Sequence, residues 1–423
     1  MHTVFVLPRF YPYRGGYENS ILTLAKFLVA RGHRATVFTT TADDLEALWL
    51  PGFKTFPQEQ FSIDGVMVRR FAIDHNTLRR RATRLLGLAP YWRWKAEYWR
   101  PSFRVIGLNE ALRAVDADLI HVGPLPHNSL LYAGLRAGEQ RGIPVVATPC
   151  VHLGETGNDS VSKQYLQPHQ LELLRHCDKI FCMTATEHRH LHVLGLPDAE
   201  LAVAPHGTDV QNAIGGDPWF LQQKYGVDGP VVLHLGMKAY PKGSETLVEA
   251  MKLLWSRGSE DSDKSRRLPG RGEGSHAWLV LAGPRLSAFD TFIASAGKNC
   301  PRLLNLPPFA DEEKRDLLAS ATIVAQPSSV ESLGHVLIEA WANRKPVVAA
   351  DIEVSRELVS SSRGGVTVPF GDVQKLAQEL DRLLHDPTAR EQMGNSGYHK
   401  AMEYAGDAPW KRFVDEFEHL TRC

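Results

Sequence analysis

The stretch ATIVAQPSSVESLGHVLIEAWANRKPVVAA, residues 321–350, decides the fold because it joins two kinds of apolar pattern. The runs 321–326 and 346–350 are short and almost wholly apolar, which is typical of strands buried on both faces of a parallel sheet. Between them, a glycine-containing loop leads into a segment of helical character. A strand, a helix and a further strand in this order predict one repeat of a parallel α/β sheet.

The same alternation continues on both sides of this stretch. In the first half the candidate strands are 3–7, 35–40, 118–122, 144–148, 179–183 and 201–204, with a helix at 17–31. In the second half the further candidates are the strands 231–235, 278–283 and 365–369 and the helices 244–256 and 311–319. This pattern predicts an α/β protein of two Rossmann-like, doubly wound domains.

The domain boundary is expected in the glycine-, aspartate- and proline-rich stretch 212–230. This gives an N-terminal domain 1–212 and a C-terminal domain 213–408. A last helix near 409–423 is expected to pack back onto the first domain.

Length and composition exclude several classes of protein. The 423 residues suit two domains rather than one. With 48 basic and 48 acidic side chains the formal net charge is zero, so no nucleic-acid partner is expected. The first residues lack the features of a signal peptide. The sequence contains no run of about 18 apolar residues, so no membrane-spanning helix is predicted. Five scattered cysteines fit a reducing compartment, so we expect a cytoplasmic protein.

Two segments interrupt the alternation. Residues 256–276 contain almost no apolar side chains, which predicts a surface loop. Residues 79–104 combine eight basic residues and three tryptophans with one acidic residue. That composition fits a peripheral contact with the inner membrane face, a contact with an anionic acceptor, or a purely structural helix pair. The sequence leaves all three open.

Two loops that open helices carry groups suited to a phosphate. Arg14-Gly15-Gly16-Tyr17 follows the first strand, and the free backbone N–H groups of a helix start suit an anion. This loop is not GxGxxG, which disfavours an ordinary dinucleotide dehydrogenase. The loop 236–243 ends in Lys242-Gly243 at another helix start, so Lys242 can reach toward a diphosphate.

A third loop carries carboxylates. Glu331 lies in the loop after strand 321–326, and Glu339 lies about one turn into the helix that follows. Ligands of open parallel sheets bind beyond such strand ends. Two carboxylates there can accept hydrogen bonds from the hydroxyls of a sugar and of a ribose, and Gly334 leaves the helix N-terminus open to a phosphate.

Taken in order, the glycine pair, the G-x5-K-G loop and Glu-x7-Glu resemble family 4 of the retaining glycosyltransferases. APHGTDV at 204–210 and GGVTVPFGDVQKLAQEL at 364–380 are similar to that family as well. The resemblance covers roughly residues 1–385. It implies the GT-B fold, in which two Rossmann-like domains face a central cleft. It also implies donor binding by the second domain, acceptor binding by the first, and metal-independent transfer with retention at the anomeric carbon.

The resemblance also implies roles for individual residues. Glu339 would hold the ribose hydroxyls, Glu331 the sugar hydroxyls, and Lys242 the diphosphate. His152, after strand 144–148, would contact the donor sugar, so the implied catalytic set is His152, Glu331 and Lys242. His121 and His127 compete for that role but are more often structural in such positions. The implied donor-binding residues are Gly16, Lys238, Lys242, Glu331, Ser332, Leu333, Gly334 and Glu339. The implied acceptor-binding residues are Gly15, Tyr17 and His127.

One position departs from the family pattern. The family usually has arginine directly after the glycine that begins the G-x5-K-G loop, and here that residue is Met237. Lys238 is the candidate substitute, although a lysine lacks the bidentate fork of an arginine.

The predicted function is therefore that of a retaining hexosyltransferase. A UDP-sugar is the favoured donor, and the acceptor is a hydroxyl of a saccharide, a glycolipid or a small molecule. No cofactor and no metal are expected, since the nucleotide-sugar is a co-substrate and the resemblance implies metal-independent transfer. In the run His188, His190, His192 neighbouring members face apart on a helix, so only His188 and His192 could share a metal. The alternative is a catalytically weakened nucleotide-sugar-binding or scaffold protein of the same fold. A phosphorylase or sugar epimerase is a third hypothesis, and we find no cofactor-binding lysine motif for the former.

Overall fold

The structure is a computed structural model that describes residues 1–13, 15–75, 103–155, 157–158, 160–260, 276–297 and 300–422. Within these residues the chain forms two compact units. The first unit comprises 1–152, 160–207 and 407–423, and the second comprises 153–159 and 208–406. The chain passes from the first unit to the second after residue 207 and back after residue 406, and the expected domain limits were 212 and 408. The second unit also includes the short segment 153–159.

The first unit is built on a sheet of eight strands. In chain order they are β1 (His2–Val6), β2 (Arg34–Thr40), β3 (Gln60–Ile63), β4 (Val66–Phe71), β7 (Leu119–Val122), β8 (Val145–Ala147), β9 (Lys179–Cys182) and β10 (Leu201–Val203), while β5 (Ile73–Asp74) and β6 (Arg104–Val105) form a separate ribbon. The order across the sheet is β10-β9-β8-β7-β1-β2-β4-β3. All neighbours are parallel except β3 and β4.

Helices cover this sheet. They are α1 (Gly16–Ala30), α2 (Leu108–Ala114), α3 (Asn128–Arg141), α4 (Ser162–Tyr165), α5 (Pro168–Arg175) and α6 (Ala185–Val193), with 3-10 turns at Glu46–Leu48 and Asp198–Glu200. Strands β1, β7 and β8 are buried along their whole length, as near-continuous apolar runs require when helices lie on both faces.

The second unit has a sheet of six parallel strands. They are β11 (Val231–Leu235), β12 (Trp278–Ala282), β13 (Leu303–Leu306), β14 (Ile323–Gln326), β15 (Val347–Ala350) and β16 (Gly365–Val368). The order β13-β12-β11-β14-β15-β16 is that of a Rossmann sheet. The direction of strand addition therefore reverses between β11 and β14. In the first sheet the corresponding reversal lies between β1 and β7.

The helices of the second unit are α7 (Phe220–Tyr225), α8 (Ser244–Glu260), α9 (Ser287–Ala296), α10 (Asp311–Ser320), α11 (His335–Ala342), α12 (Glu353–Ser362), α13 (Val373–His385) and α14 (Pro387–Met402), with a 3-10 turn at Tyr240–Lys242. Helix α8 runs to Glu260, so the surface loop expected from residue 256 begins later than predicted. The rest of that loop, 261–275, lies outside the described residues.

The last helix, α15 (Ala408–Arg422), returns to the first unit. Its apolar side chains recur at helical spacing, which gives one apolar face. Trp410, Phe413, Val414 and Phe417 on that face join the core that includes Phe5 of β1.

The described part of the chain contains no helix that is both long and apolar enough to cross a bilayer. The segment 79–104, for which membrane or acceptor contact was among the hypotheses, lies outside the described residues except for its last two positions.

Candidate functional site

The reversal point of the second sheet brings two loops together. The loop 236–243 follows β11 and the loop 327–334 follows β14, so both leave the same edge of the sheet. They touch where Gly243 adopts φ +74°, and a Cβ there would lie 2.1 Å from the carbonyl oxygen of Pro327. The Pro241 carbonyl accepts a hydrogen bond of 2.9 Å from the Ser329 N–H. The glycine after Lys242 is therefore required for close contact between the loops.

This contact pairs two of the predicted site residues. The Lys242 ammonium lies 2.8 Å from the Glu331 carboxylate and donates a second hydrogen bond of 2.7 Å to the Val330 carbonyl. The two charged side chains retain 29% and 19% of their exposure. The ion pair is thus partly sheltered but still accessible from solvent, as a ligand-binding pair must be.

Glu339 forms a second ion pair nearby. Its carboxylate lies 2.8 Å from the ammonium of Lys314 on α10, and the two side chains are 11% and 15% exposed. His335, the first residue of α11, lies close enough to both Glu331 and Glu339 for each to raise its pKa. Burial is the larger effect and lowers the pKa of His335 below its usual value. The structure therefore gathers Lys242, Glu331 and Glu339 into one region.

Lys238 does not join this region, contrary to the prediction that it supplies charge to a diphosphate. Its side chain is fully buried, and its ammonium donates to the Asn305 side chain at 2.7 Å and to the Leu306 carbonyl at 2.6 Å. The reason is that the backbone of Lys238 bridges Arg285 and so extends the β11-β12 pairing. This extension directs the side chain inward, and burial lowers the pKa of Lys238 to about 8.

Three further predicted donor-binding residues, Ser332, Leu333 and Gly334, lie directly before α11. Gly334 is the N-cap of that helix with φ +85°, which favours glycine. Leu333 is buried in the core, so only its backbone is available to a ligand. Ser332 and Met237 are both half-buried.

At the reversal point of the first sheet, the glycine pair opens α1 as predicted. Gly15 is the N-cap and Gly16 the first helical residue. A carboxylate occupies the same space, because a Cβ on Gly15 would lie 2.2 Å from an oxygen of Glu18. Glu18 is buried, and burial raises its pKa. A phosphate at this helix start would meet that carboxyl group.

Tyr17 reaches toward the ends of the neighbouring strands. A Cβ on Gly123, after β7, would lie 2.6 Å from the Tyr17 hydroxyl and 2.4 Å from the Thr148 carbonyl oxygen. The hydroxyl is buried and has no hydrogen-bond partner among the described residues. Burial raises the pKa of Tyr17 well above its usual value.

His127 lies before α3 in an aromatic cluster. Its ring stacks on Trp49 at 6.0 Å and lies 5.8 Å from the ring of Phe103. Within the described residues its Nδ1 has no hydrogen-bond partner. Burial, together with the charge of Arg9, lowers the pKa of His127 to about 3, so the ring is neutral at physiological pH.

His152, the predicted catalytic histidine, lies in the loop that follows β8. Its ring meets the ring of Tyr165 edge-on at 4.8 Å. The competing His121 lies within β7 and is fully buried, and its Nε2 is 2.8 Å from the Thr148 hydroxyl. Burial lowers the pKa of His121 to about 3, which fits a structural role.

Several residues near these loops escaped the sequence prediction. Lys314 is an ordinary helical lysine in sequence, and only the tertiary fold brings its ammonium to 2.8 Å from the Glu339 carboxylate. Arg9 is buried after β1 with its guanidinium over the Tyr13 ring at 3.7 Å. The sequence offered one signal for His335, namely its position directly after Gly334 at the start of a helix that follows a strand. Such positions lie beyond the carboxyl ends of the strands, where ligands of parallel sheets bind.

No group of three or more histidine, cysteine, aspartate or glutamate side chains is arranged to hold a metal ion in the part of the chain that the structure describes. In the histidine run of α6, His188 lies 3.3 Å from Asp198.

Comparison with known families decides the assignment. Residues 14–212 match the family described as Glycosyltransferase Family 4, and residues 218–400 match the one described as Glycosyl transferases group 1. The chain belongs to the family 4 glycosyltransferases. The resemblance inferred from the three loops is thereby confirmed.

Individual relatives of this family 4 chain are distant. Alpha-D-kanosaminyltransferase of Streptomyces kanamyceticus is 28% identical over 179 residues, which are 42% of this chain and 42% of that protein. The chain spans 42% to 61% of the length of the first curated relatives it matches.

Solved structures resemble the family 4 chain over nearly its whole length. Sucrose-phosphate synthase from Thermosynechococcus elongatus has a TM-score of 0.71 at 18% identity and covers 99% of this chain and 98% of its own. Anabaena HepE, solved in complex with UDP and glucose, has a TM-score of 0.68 at 20% identity and covers 98% of both chains. At these identities the likeness concerns the fold, and it confirms the predicted GT-B class.

Proposed function

We propose that this chain is a retaining glycosyltransferase that moves a hexosyl group from a UDP-sugar to a hydroxyl acceptor. The observation that carries the proposal is the pair of partly sheltered ion pairs, Lys242–Glu331 and Lys314–Glu339, at the reversal point of the second sheet. Family membership supports it, and the UDP and glucose bound by Anabaena HepE favour a uridine donor.

Each ion pair would serve a different part of the donor. Lys242 would turn from Glu331 toward the diphosphate, because a phosphate offers more negative charge than one carboxylate. Glu331 would then accept hydrogen bonds from the sugar hydroxyls. Glu339 would accept hydrogen bonds from the two ribose hydroxyls, and the ion pair with Lys314 would hold it in position.

The transfer would follow a front-face route without a protein nucleophile or a metal. The bond between the anomeric carbon and the diphosphate oxygen breaks with its electron pair remaining on UDP. The acceptor oxygen forms its bond on the same face of the sugar, and the acceptor proton passes to the departing phosphate oxygen. Lys242 stabilises the charge that develops on UDP, so its effect is largest in the transition state. His152 would orient the donor sugar.

Two uncharged side chains of the first unit, Tyr17 and His127, would face the acceptor. The buried Tyr17 hydroxyl and the neutral ring of His127 lie beyond the ends of the first sheet's strands. Groups of this kind bind hydroxyls well and phosphates poorly, and the Glu18 carboxyl near Gly16 disfavours an anion further. We therefore propose an acceptor that presents a neutral hydroxyl-rich face to these residues.

A second candidate is a nucleotide-sugar-binding protein with weakened catalysis. It is favoured by Met237 at the usual arginine position together with the inward direction of Lys238. The same donor site would then bind UDP-sugar without fast transfer.

Ligand-induced stabilisation separates these proposals from an unrelated activity. A nucleotide that binds only the folded chain must raise its melting temperature by mass action. We expect UDP, in the presence of EDTA, to raise it more than GDP or ADP, and Glu339→Ala to abolish the shift. The matched control is Glu379→Ala, because Glu379 forms a similarly sheltered ion pair with Lys375 on α13. Absence of a shift with every nucleotide would remove the donor site, whereas UDP binding without UDP-glucose turnover would favour the second candidate.

A further inference from the structure

The loop that carries His152 has a strained backbone. It follows β8, and Cys150 in it adopts φ +51°, in the left-handed region that side chains other than glycine rarely occupy. Cys150 is also buried. Such a conformation persists only where the surroundings hold it in place, so an external contact must fix this loop.

Glu187 on α6 makes that contact. Its Oε1 accepts a hydrogen bond of 2.7 Å from the N–H of Val151, which lies between Cys150 and His152. Its Oε2 accepts a hydrogen bond of 2.6 Å from the N–H of Met183, at the end of β9. The side chain is 1% exposed, so both bonds are shielded from water. One carboxylate thus joins the loop after β8 to the loop after β9.

This arrangement differs from ordinary helix capping. A Thr-x-x-Glu start usually forms a capping box, in which the glutamate accepts from the backbone N–H of the cap residue. Here the cap is Thr184, whose hydroxyl accepts from the Glu187 N–H at 3.0 Å. The Glu187 carboxylate instead reaches the residue before the cap and a separate loop. Helix capping alone therefore does not account for the bond to Val151.

We propose that Glu187 is a positioning residue for His152. By fixing the N–H of Val151 it maintains the strained backbone at Cys150. This backbone sets the direction in which the side chain of His152, two residues after Cys150, meets Tyr165. The consequence for sugar transfer rests on the proposed function, in which His152 orients the donor. The hydrogen bond and its effect on the His152 ring do not depend on it.

Two substitutions alter the contact in different ways. Glu187→Gln keeps the size of the side chain but replaces one acceptor oxygen by an amide that cannot accept a hydrogen bond. Glu187→Asp keeps the charge but shortens the side chain by one methylene, which withdraws it from Val151. If one of the two variants does not fold, the other still tests the hydrogen bond to Val151.

Turnover is measured as UDP release from UDP-glucose by Glu187→Gln, His152→Gln and the double variant. We expect Glu187→Gln to lower kcat by roughly tenfold to a hundredfold with little change in KM, because a small displacement of an orienting group has effects of that size. The double variant should be no slower than His152→Gln alone, since the two residues act through one group. Independent, multiplicative losses would overturn the proposal.

A matched control lies at the other end of the same strand. The Asp178 carboxylate accepts a hydrogen bond of 2.7 Å from the N–H of Val145, the first residue of β8. Asp178→Asn weakens a carboxylate-to-backbone bond of the same strand without touching the His152 loop. It should leave kcat unchanged, and a kcat loss equal to that of Glu187→Gln would overturn the positioning role.

A second readout does not require turnover. In a carbon–proton correlation spectrum of the histidine rings, the His152 signal is the one missing from His152→Gln. We expect this signal to move in Glu187→Gln and Glu187→Asp, whereas the signal of His234 in β11 should not move. An unmoved His152 signal would overturn the proposal. If the signal moves while UDP-glucose is not consumed, the positioning role stands and the proposed function fails.

Discussion

The two Rossmann-like units place loops at the same point of their sheets, but the side chains there differ in charge. In the second unit Lys242 and Glu331 are charged residues that are partly exposed and form an ion pair with each other. In the first unit the Tyr17 hydroxyl and the His127 ring are buried, and burial raises the pKa of Tyr17 and lowers that of His127, so both side chains are uncharged at neutral pH. The predicted site residues named here are thus charged in one Rossmann-like unit and uncharged in the other.

This difference matches the chemistry proposed for each substrate. A nucleotide diphosphate offers strong charge, so it can replace a glutamate as the partner of a lysine. A hydroxyl acceptor offers weak hydrogen bonds, which gain strength only in surroundings that exclude water. The prediction is that charge substitutions in the second unit affect donor binding, while substitutions of Tyr17 and His127 in the first unit affect donor binding less.

The largest effect is expected at Lys242. Lys242→Ala removes the cation and leaves the Glu331 carboxylate beside the diphosphate, so kcat/KM for UDP-glucose should fall by roughly a hundredfold, as for loss of a charged hydrogen bond. Steady-state kinetics of UDP release measures this. Lys252→Ala is the matched control, because Lys252 pairs with Glu249 on α8 of the same unit. Wild-type kinetics in Lys242→Ala would contradict the charged-site interpretation.

A gain is expected at Met237. Met237→Arg restores the residue usual in the family and should tighten UDP binding by about tenfold, because a bidentate guanidinium adds charge-assisted hydrogen bonds to a phosphate. Calorimetric titration with UDP measures the change, with Met237→Leu as the control for side-chain size. Equal affinities of the two variants would mean that Met237 does not face the diphosphate.

Lys238 should affect stability and not donor binding. Lys238→Met leaves the Asn305 side chain and the Leu306 carbonyl without their donor, which costs about 1–3 kcal/mol for buried groups. The dissociation constant for UDP should stay within about twofold of the wild-type value, because a substitution away from the donor should not change donor binding. Urea unfolding and UDP titration test the two halves of this statement. Weaker UDP binding at unchanged stability would place the Lys238 ammonium at the donor after all.

The smallest effect concerns acid sensitivity of the first unit. The folded-state pKa of His127 is about 3, below the ordinary value of 6.5, because burial opposes its charge. Between those two values the unfolded chain binds a proton that the folded chain does not, so stability falls as pH falls through this window. At pH 5 this loss is about 2 kcal/mol for one such histidine.

His127→Phe preserves the packing against Trp49 and Phe103 and removes the titrating group. The decrease in the free energy of unfolding from pH 7.5 to pH 5 should therefore be smaller in the variant than in the wild type. UDP affinity, measured at pH 7.5, should not change. A variant as acid-sensitive as the wild type would contradict the neutral-site interpretation.

The sequence predicted those parts of the fold that depend on burial from both sides. Continuous apolar runs identified β1, β7, β11 and β14, since a strand between two helical layers contacts only apolar surroundings. The hairpin β3–β4 was missed, because its edge position leaves alternate residues exposed and breaks the apolar run. The Asp64-Gly65 turn, with both residues at positive φ, was the signal for it.

The sequence predicted those site residues whose position follows from their distance along the chain from a strand end or a helix start. Lys242, Glu331 and Glu339 lie at strand ends and helix starts, and the parallel topology gathers such places at one edge. The direction of a side chain within a loop is not fixed in this way, so the expected role of Lys238 was wrong. Lys314 could not be predicted because its pairing with Glu339 depends on the tertiary fold and not on spacing along the chain. Glu187 reads in sequence as an ordinary capping glutamate, and only the course of the neighbouring loop gives it a second partner.

The return of α15 to the first unit has a consequence for synthesis on the ribosome. Trp410, Phe413 and Phe417 belong to the same core as Phe5, but they are synthesised after the whole of the second unit. At about 5–20 residues per second, roughly 10–40 s pass between residues 207 and 407. During that time the nascent first unit exposes part of its apolar core, while the second unit has all the residues that it needs. The half that is translated first is therefore the half that finishes folding last, and a chaperone that shields apolar surface would find its binding site there.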